Sequence, residues 1–221
     1  MRFKVLYTII MKAGNTPQDD LLAIRQMMER SSKFLSLSGL SGVFAGMCAL
    51  AGAAIAYFLI LDTGNIQYDE YIRSLGSEST QAIRFQLFAD ALIVLIVALG
   101  GAVFFSIRKA KRNRQKLWNK TTKNLLVYLF IPLVTGGLFS ILLMWHNNTH
   151  LVAATTLIFY GLALVNAGKF TFGEIHYLGL TEIVLGLLAG VFIHYGLLIW
   201  TIGFGIMHIV YGLVMYQKYE R

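Results

Sequence analysis

The sequence contains one cysteine, two prolines and only 11 acidic residues in 221 positions. Cys48 alone excludes an intrachain disulfide and any cysteine-based metal cluster, and within an apolar stretch it reads as a small packing residue. No Walker loop, HExxH zinc pair, Gly-x-Ser-x-Gly elbow or DxxD-type acidic cluster occurs, so no cofactor is implied and an enzyme is the weaker expectation. His176 matches no second histidine at equal depth, which argues against haem.

What is abundant is apolar. Hydrophobic residues make up 57% of the chain, more than a soluble domain can hide. About 20 residues are needed to cross ~30 Å of hydrocarbon, and six runs come near that length: 34–61, 87–107, 125–145, 151–167, 175–192 and 196–216. The expected fold is therefore all-α, a polytopic bundle of six transmembrane helices (residues 34–221) preceded by a cytoplasmic segment, 1–33. The fourth and fifth runs are short, so they should stand nearly upright or be buried by neighbours.

Charge orients the spans. With the N-terminus inside, 17 of the 19 basic residues fall on the inner side, and only Arg73 and Arg84 lie outside. Lys and Arg resist translocation, so both termini are expected in the cytoplasm, as in a multi-pass protein of the bacterial inner membrane. The run Arg108, Lys109, Lys111, Arg112, Arg114 and Lys116 then reads as an orienting loop that touches anionic lipid rather than nucleic acid. Trp118, Trp145 and several tyrosines near span ends fit the headgroup level.

The N-terminal stretch Val5 to Met11 is too short and lacks the small-residue cleavage site of a signal peptide, and Met1 and Met11 are both candidates for the start. Thr16-Pro17-Gln18-Asp19-Asp20 has the chemistry of a helix start: a hydroxyl cap, a proline where no N–H is needed, and acids at the positive helix end. Leu21, Leu22, Ile24, Met27 and Met28 form an apolar side, giving an amphipathic helix for the membrane surface, the bundle or a cytoplasmic protein partner.

Small residues mark where helices touch, because lipid supplies no hydrophobic force between spans and close backbone approach must hold them. Ser38, Gly42 and Gly46, continued by Ala49 and Ala53, form such a stripe in the first span. Pro132 followed by Thr135, Gly136, Gly137 and Ser140 predicts a kink in the third.

Ionisable residues at membrane depth are few, and each costs at least ~2.5 kcal/mol on insertion scales, so they face protein or water. Asp90 lies about a turn inside the second span and, with Thr201, is a candidate pathway residue. Glu182 shares a helical face with Gly186 and Gly190, and His208 with Thr201, Gly205 and Gly212. If the last two spans form a hairpin turning near Tyr195, Glu182 and His208 are equidistant from the turn and should meet. They would form a polar pair able to share one proton. At the opposite membrane face His146, His150 and His194 sit in short loops, where three imidazoles are a candidate metal site.

Two functions fit. One is a small proton- or cation-linked transport or permeation unit, homo-oligomeric because six helices leave little room for a pathway. The other is a non-transporting adaptor or sensor that engages a cytoplasmic partner through the N-terminal helix and the basic loop. Both require the stated orientation. Cysteines introduced at Ser77 and Asn148 should react from outside intact cells with a membrane-impermeant thiol reagent, whereas one at Asn113 should not; outside labelling of position 113 would reverse the topology.

Overall fold

A computed structural model describes residues 37–61, 67–74, 80–114 and 118–221. The expected amphipathic helix, residues Thr16 to Ser32, and Lys116 lie outside the described residues. Every regular element among them is helical. In chain order these are α1 (Gly39–Ile55), continued by a π-helical turn (Ala56–Leu61), α2 (Tyr68–Ser74), α3 (Thr80–Arg112), α4 (Lys120–Trp145), α5 (Val152–Ala167), α6 (Gly173–Val191), α7 (Gly196–Trp200) and α8 (His208–Tyr219). A second π-helical segment, Thr201–Met207, joins α7 to α8. Six continuous helical stretches are long and apolar enough to cross a membrane, the mark of an integral membrane protein.

Several boundaries differ from the apolar runs. The second span starts at Thr80, seven residues before Leu87, because a helix extends past the hydrocarbon while its backbone bonds remain satisfied. Short 3₁₀ turns, Thr149–Leu151 and Gly168–Phe170, bring the fourth span to 22 residues, so it is not short. The basic run is mostly not a loop: Arg108, Lys109, Lys111 and Arg112 form the last turns of α3, where cations favour the negative helix end. The helix α2 falls in a connection that carries no apolar signal.

Main contacts run from α3 to α1, from α1 to α8 and the π segment, from these to α6, then to α5 and α4. The two helices at the ends of this series are the least covered. None of the most apolar stretch of α3 is buried, and Phe85, Ile93, Ile96 and Phe104 face outward from it. Their exposure suits contact with lipid tails.

Glycine contacts set the closest crossings. A Cβ on Gly212 of α8 would lie 2.6 Å from the Val43 nitrogen and 2.7 Å from the Gly39 oxygen, so α1 and α8 meet backbone to backbone. A Cβ on Gly161 of α5 would lie 2.6 Å from the Gly179 oxygen of α6. The stripe of Gly39, Gly42 and Gly46 thus docks onto Gly205 and Gly212. Gly186, by contrast, packs on Ala154 and Ile158 of α5 and not on the last span. Small-residue faces therefore join α6 to α5 and α8 to α1, and they do not themselves form the α6–α8 interface.

The end carrying the basic turns is fastened by polar contacts. Lys218 donates to Glu174 at 2.6 Å and the Tyr219 hydroxyl donates to the same carboxylate at 3.0 Å, tying the end of α8 to the start of α6. At the opposite end Leu61, Tyr71 and Ile83 form a small core. Burial, with Tyr71 close by, pushes the Tyr68 phenol beside it up to about 12, so Tyr68 stays a neutral hydroxyl.

Candidate functional site

Glu182 is the tenth of 19 residues in α6, and no part of it reaches the surface. His208 begins α8 directly after the π segment and is 6% exposed. Glu182 Oε1 lies 3.4 Å from His208 Nδ1. That nitrogen is closer to the Gly203 carbonyl oxygen, at 3.1 Å, and the other ring nitrogen, Nε2, is 2.8 Å from the Tyr160 hydroxyl. Among the described residues neither carboxyl oxygen of Glu182 has a hydrogen-bond partner. The two side chains are close without hydrogen-bond geometry, so the imidazole is satisfied and the carboxyl is not.

Three elements create this arrangement. Glycine at 203 leaves room for the carboxyl, since a Cβ there would lie 2.5 Å from Glu182 Oε2 and 2.6 Å from Leu157 Cδ2 and would push both side chains aside. The π-helical segment carries Gly203 and leads into His208; such wide turns insert an extra residue and occur frequently at functional sites. Aromatic rings enclose the imidazole: Phe204 is stacked on it at 5.8 Å between centroids, and Tyr160 is tilted over it at 5.3 Å. Trp200 packs on Phe204 at 4.9 Å, extending the apolar wall. Within such walls the effective dielectric is low, which magnifies every charge interaction.

Two proton arrangements are compatible with these distances. In one, Nδ1–H donates to the Gly203 carbonyl and the Tyr160 hydroxyl donates to Nε2, leaving Glu182 without a donor. In the other, a protonated Glu182 rotates slightly to donate to Nδ1 while Nε2–H donates to the Tyr160 oxygen. If Glu182 is ionised in the first arrangement and Tyr160 keeps its hydrogen throughout, the second holds one proton more: a proton taken up at Nε2 releases the Nδ1 hydrogen to Glu182, while the phenol turns from donor to acceptor.

The remaining candidates lie elsewhere. Asp90, half-exposed on α3, faces Gly52 of α1, where a Cβ would lie 3.5 Å from Oδ2. The Thr201 hydroxyl donates back to the Leu197 carbonyl at 2.7 Å, as threonines within helices do. No hydrogen bond links Asp90 or Thr201 to Glu182 or His208 among the described residues, so they do not form one line with the pair. His146, His150 and His194 do not form one cluster. His194 faces Asp69 at 3.2 Å, His146 is exposed at the end of α4, and His150 is in the following 3₁₀ turn. Among the described residues no three His, Cys, Asp or Glu side chains are placed to hold a metal ion, because the two short turns belong to hairpins that do not bring their histidines together.

Two cavities of about 340 Å³ open at the ends of the molecule. One is lined by Tyr57, Tyr68, His194 and Thr201, the other by Ser38, Arg108, Lys109, Arg112 and Glu220. Glu182 and His208 line neither.

Tyr160 and the role of Gly203 are not predicted from the sequence. A hydroxyl deep in an apolar span needs a partner, which marks Tyr160 in retrospect, but no spacing rule connects it to a residue 48 positions away. Comparison with protein families, curated proteins and solved structures finds no match for this chain.

The geometry separates a structural clasp from a working site by stability. Replacing Glu182 by Met removes an unsatisfied buried carboxyl and keeps apolar volume, so detergent thermal stability should hold or rise. His208→Leu takes the imidazole from the buried Tyr160 hydroxyl and the Gly203 carbonyl and removes the polar group nearest Glu182, and should cost about 3 kcal/mol. The double variant should recover at least ~1 kcal/mol relative to additivity. A loss in Glu182→Met as large as that in His208→Leu would identify the pair as a fastening of the fold.

Proposed function

We propose that the protein is a small proton-linked membrane transport or permeation unit, in which Glu182, His208 and Tyr160 bind and pass the proton. The observation that carries this reading is the Glu182 carboxyl, fully buried and, among the described residues, without a hydrogen-bond donor on either oxygen. Isolated carboxylates in such surroundings are costly by several kcal/mol, and a fold selected only for stability replaces them readily with apolar residues. Intramembrane ionisable residues are retained chiefly where they relay protons or bind ions. The adjacent imidazole, already hydrogen-bonded at its far nitrogen to a phenol, supplies a second acceptor and a third exchange group. Net charge in the cluster is the same whether the proton sits on carboxyl or imidazole, or, with Tyr160 unchanged, moves between them. Transfer within it therefore avoids creating a lone buried charge.

A second reading is a non-transporting, pH-responsive membrane sensor or adaptor. It is favoured by one observation: neither end cavity reaches the pair. A sensor needs the proton to alter helix packing and needs no continuous path.

Vesicles containing the purified protein and an entrapped pH dye distinguish the two when a pH gradient and a membrane potential are imposed. The transport reading expects proton flux above that of protein-free vesicles, reduced to background by Glu182→Gln. Tyr160→Phe should slow it by about a hundredfold, the low end of what a positioned proton-transfer group contributes. Equal flux with and without the Glu182 carboxyl would refute transport through the pair. Absence of flux together with a pH-induced change in protease access that Glu182→Gln removes would favour the sensor.

A further inference from the structure

The cavity at the basic end has a composition that proton transfer does not use. Its walls come from the start of α1 (Ser38, Leu40), the end of α3 (Phe105, Arg108, Lys109, Arg112) and the end of α8 with the residue after it (Tyr219, Glu220). Three cations and one carboxylate line it.

The carboxylate is fully engaged elsewhere. Glu220 Oε1 accepts from the Gly39 backbone N–H at 2.5 Å and from Lys109 Nζ at 3.3 Å, and Oε2 accepts from the Ser38 hydroxyl at 3.1 Å. Lys109 is buried and also donates to the Leu37 carbonyl at 2.7 Å. Lys109 and Glu220 therefore neutralise one another and form the floor, joining α3, α1 and the chain after α8. Arg108 and Arg112 remain. They are exposed, four residues apart on one helical face, and have no carboxylate partner among the described residues. Two guanidinium groups above a neutralised floor present donors in the fork geometry that suits phosphate oxygens.

Apolar groups share the same cavity. Leu40 is 39% exposed within it, and Phe105 lies one turn deeper along α3 than Lys109. A free phosphate ion would leave both uncovered, whereas a phospholipid places its phosphate on the arginines and its first acyl segments on Leu40 and Phe105. The site lies where two apolar spans end, the depth of a headgroup. Its volume is about 340 Å³, near the low end of ligand pockets at about 300–1,000 Å³.

We infer that this cavity is a discrete binding site for the phosphate headgroup of one anionic phospholipid, held by Arg108 and Arg112 over the Lys109–Glu220 pair. It is more selective than a general attraction of the basic end for a charged surface, because the two arginines act from one walled position.

Full-length protein purified in mild detergent is mixed with equal amounts of dioleoylphosphatidylglycerol and dioleoylphosphatidylcholine, and bound lipid is counted by native mass spectrometry. One phosphatidylglycerol should be retained in preference to phosphatidylcholine. Each cation near an anionic headgroup is worth roughly a factor of five, so Arg108→Gln with Arg112→Gln should lower retention about 25-fold. The control, Lys120→Gln with Lys123→Gln, removes equal charge outside the cavity and should leave retention unchanged. Millimolar inorganic phosphate should not displace the lipid. Equal retention of both lipids, equal losses in the two double variants, or complete displacement by phosphate would each overturn the assignment, the last showing a site for the ion alone.

Discussion

A carboxyl with no donor, enclosed by helices that touch through glycine, is the constraint around which this molecule is organised. Glu182 holds its place against Gly203, where a Cβ would crowd its carboxyl, and the π-helical segment leads to His208, whose Nδ1 is 3.4 Å from it. Those positions depend in turn on the contacts of α8 with α1 and of α6 with α5, in which glycines let backbones approach too closely for a Cβ. Core fastenings and site geometry are thus one set of contacts. A methyl group at the α1–α8 crossing would force the helix that carries His208 away from its neighbour.

The two ends differ from this centre in kind. Near the basic turns, polar groups are paired: Glu174 with Lys218 and Tyr219, and Glu220 with Lys109, Ser38 and Gly39. These partly solvated pairs hold helix ends in place at modest individual energies. The central carboxyl has no such partners, although it is the more deeply buried. That contrast supports reading Glu182 as a working group, and it is the physical basis of the proposed proton-linked function.

Much of this architecture is legible in the sequence, because crossing hydrocarbon imposes a length and a composition that few other folds share. Six spans can be counted from apolar runs alone, and the depth of Glu182 and His208 follows from equal distance to the turn near Tyr195. The glycines that share their helical faces do not join the two helices, since Gly186 faces α5 and Gly212 faces α1. Depth, fixed by helix rise, survives changes in partner choice; the face a helix presents to a given neighbour does not. Tyr160 escapes detection because its link to His208 depends on how α5 is rotated. The outer histidines look equivalent in one dimension, yet His194 meets Asp69 of α2, a helix without an apolar signature. The π segment is equally invisible, as its residues carry no propensity that distinguishes a wide turn from an ordinary one.

In the proposed function a proton resides within the Glu182, His208 and Tyr160 cluster and moves among its members. Infrared difference spectra of the full-length protein in lipid, recorded across a pH step, test this directly through the carbonyl stretch of a protonated carboxyl. A proton-binding Glu182 gives a carboxyl band that disappears in Glu182→Gln, and that changes in position or amplitude when His208 is replaced by Gln. Identical pH-difference spectra for the unaltered protein and Glu182→Gln would contradict it.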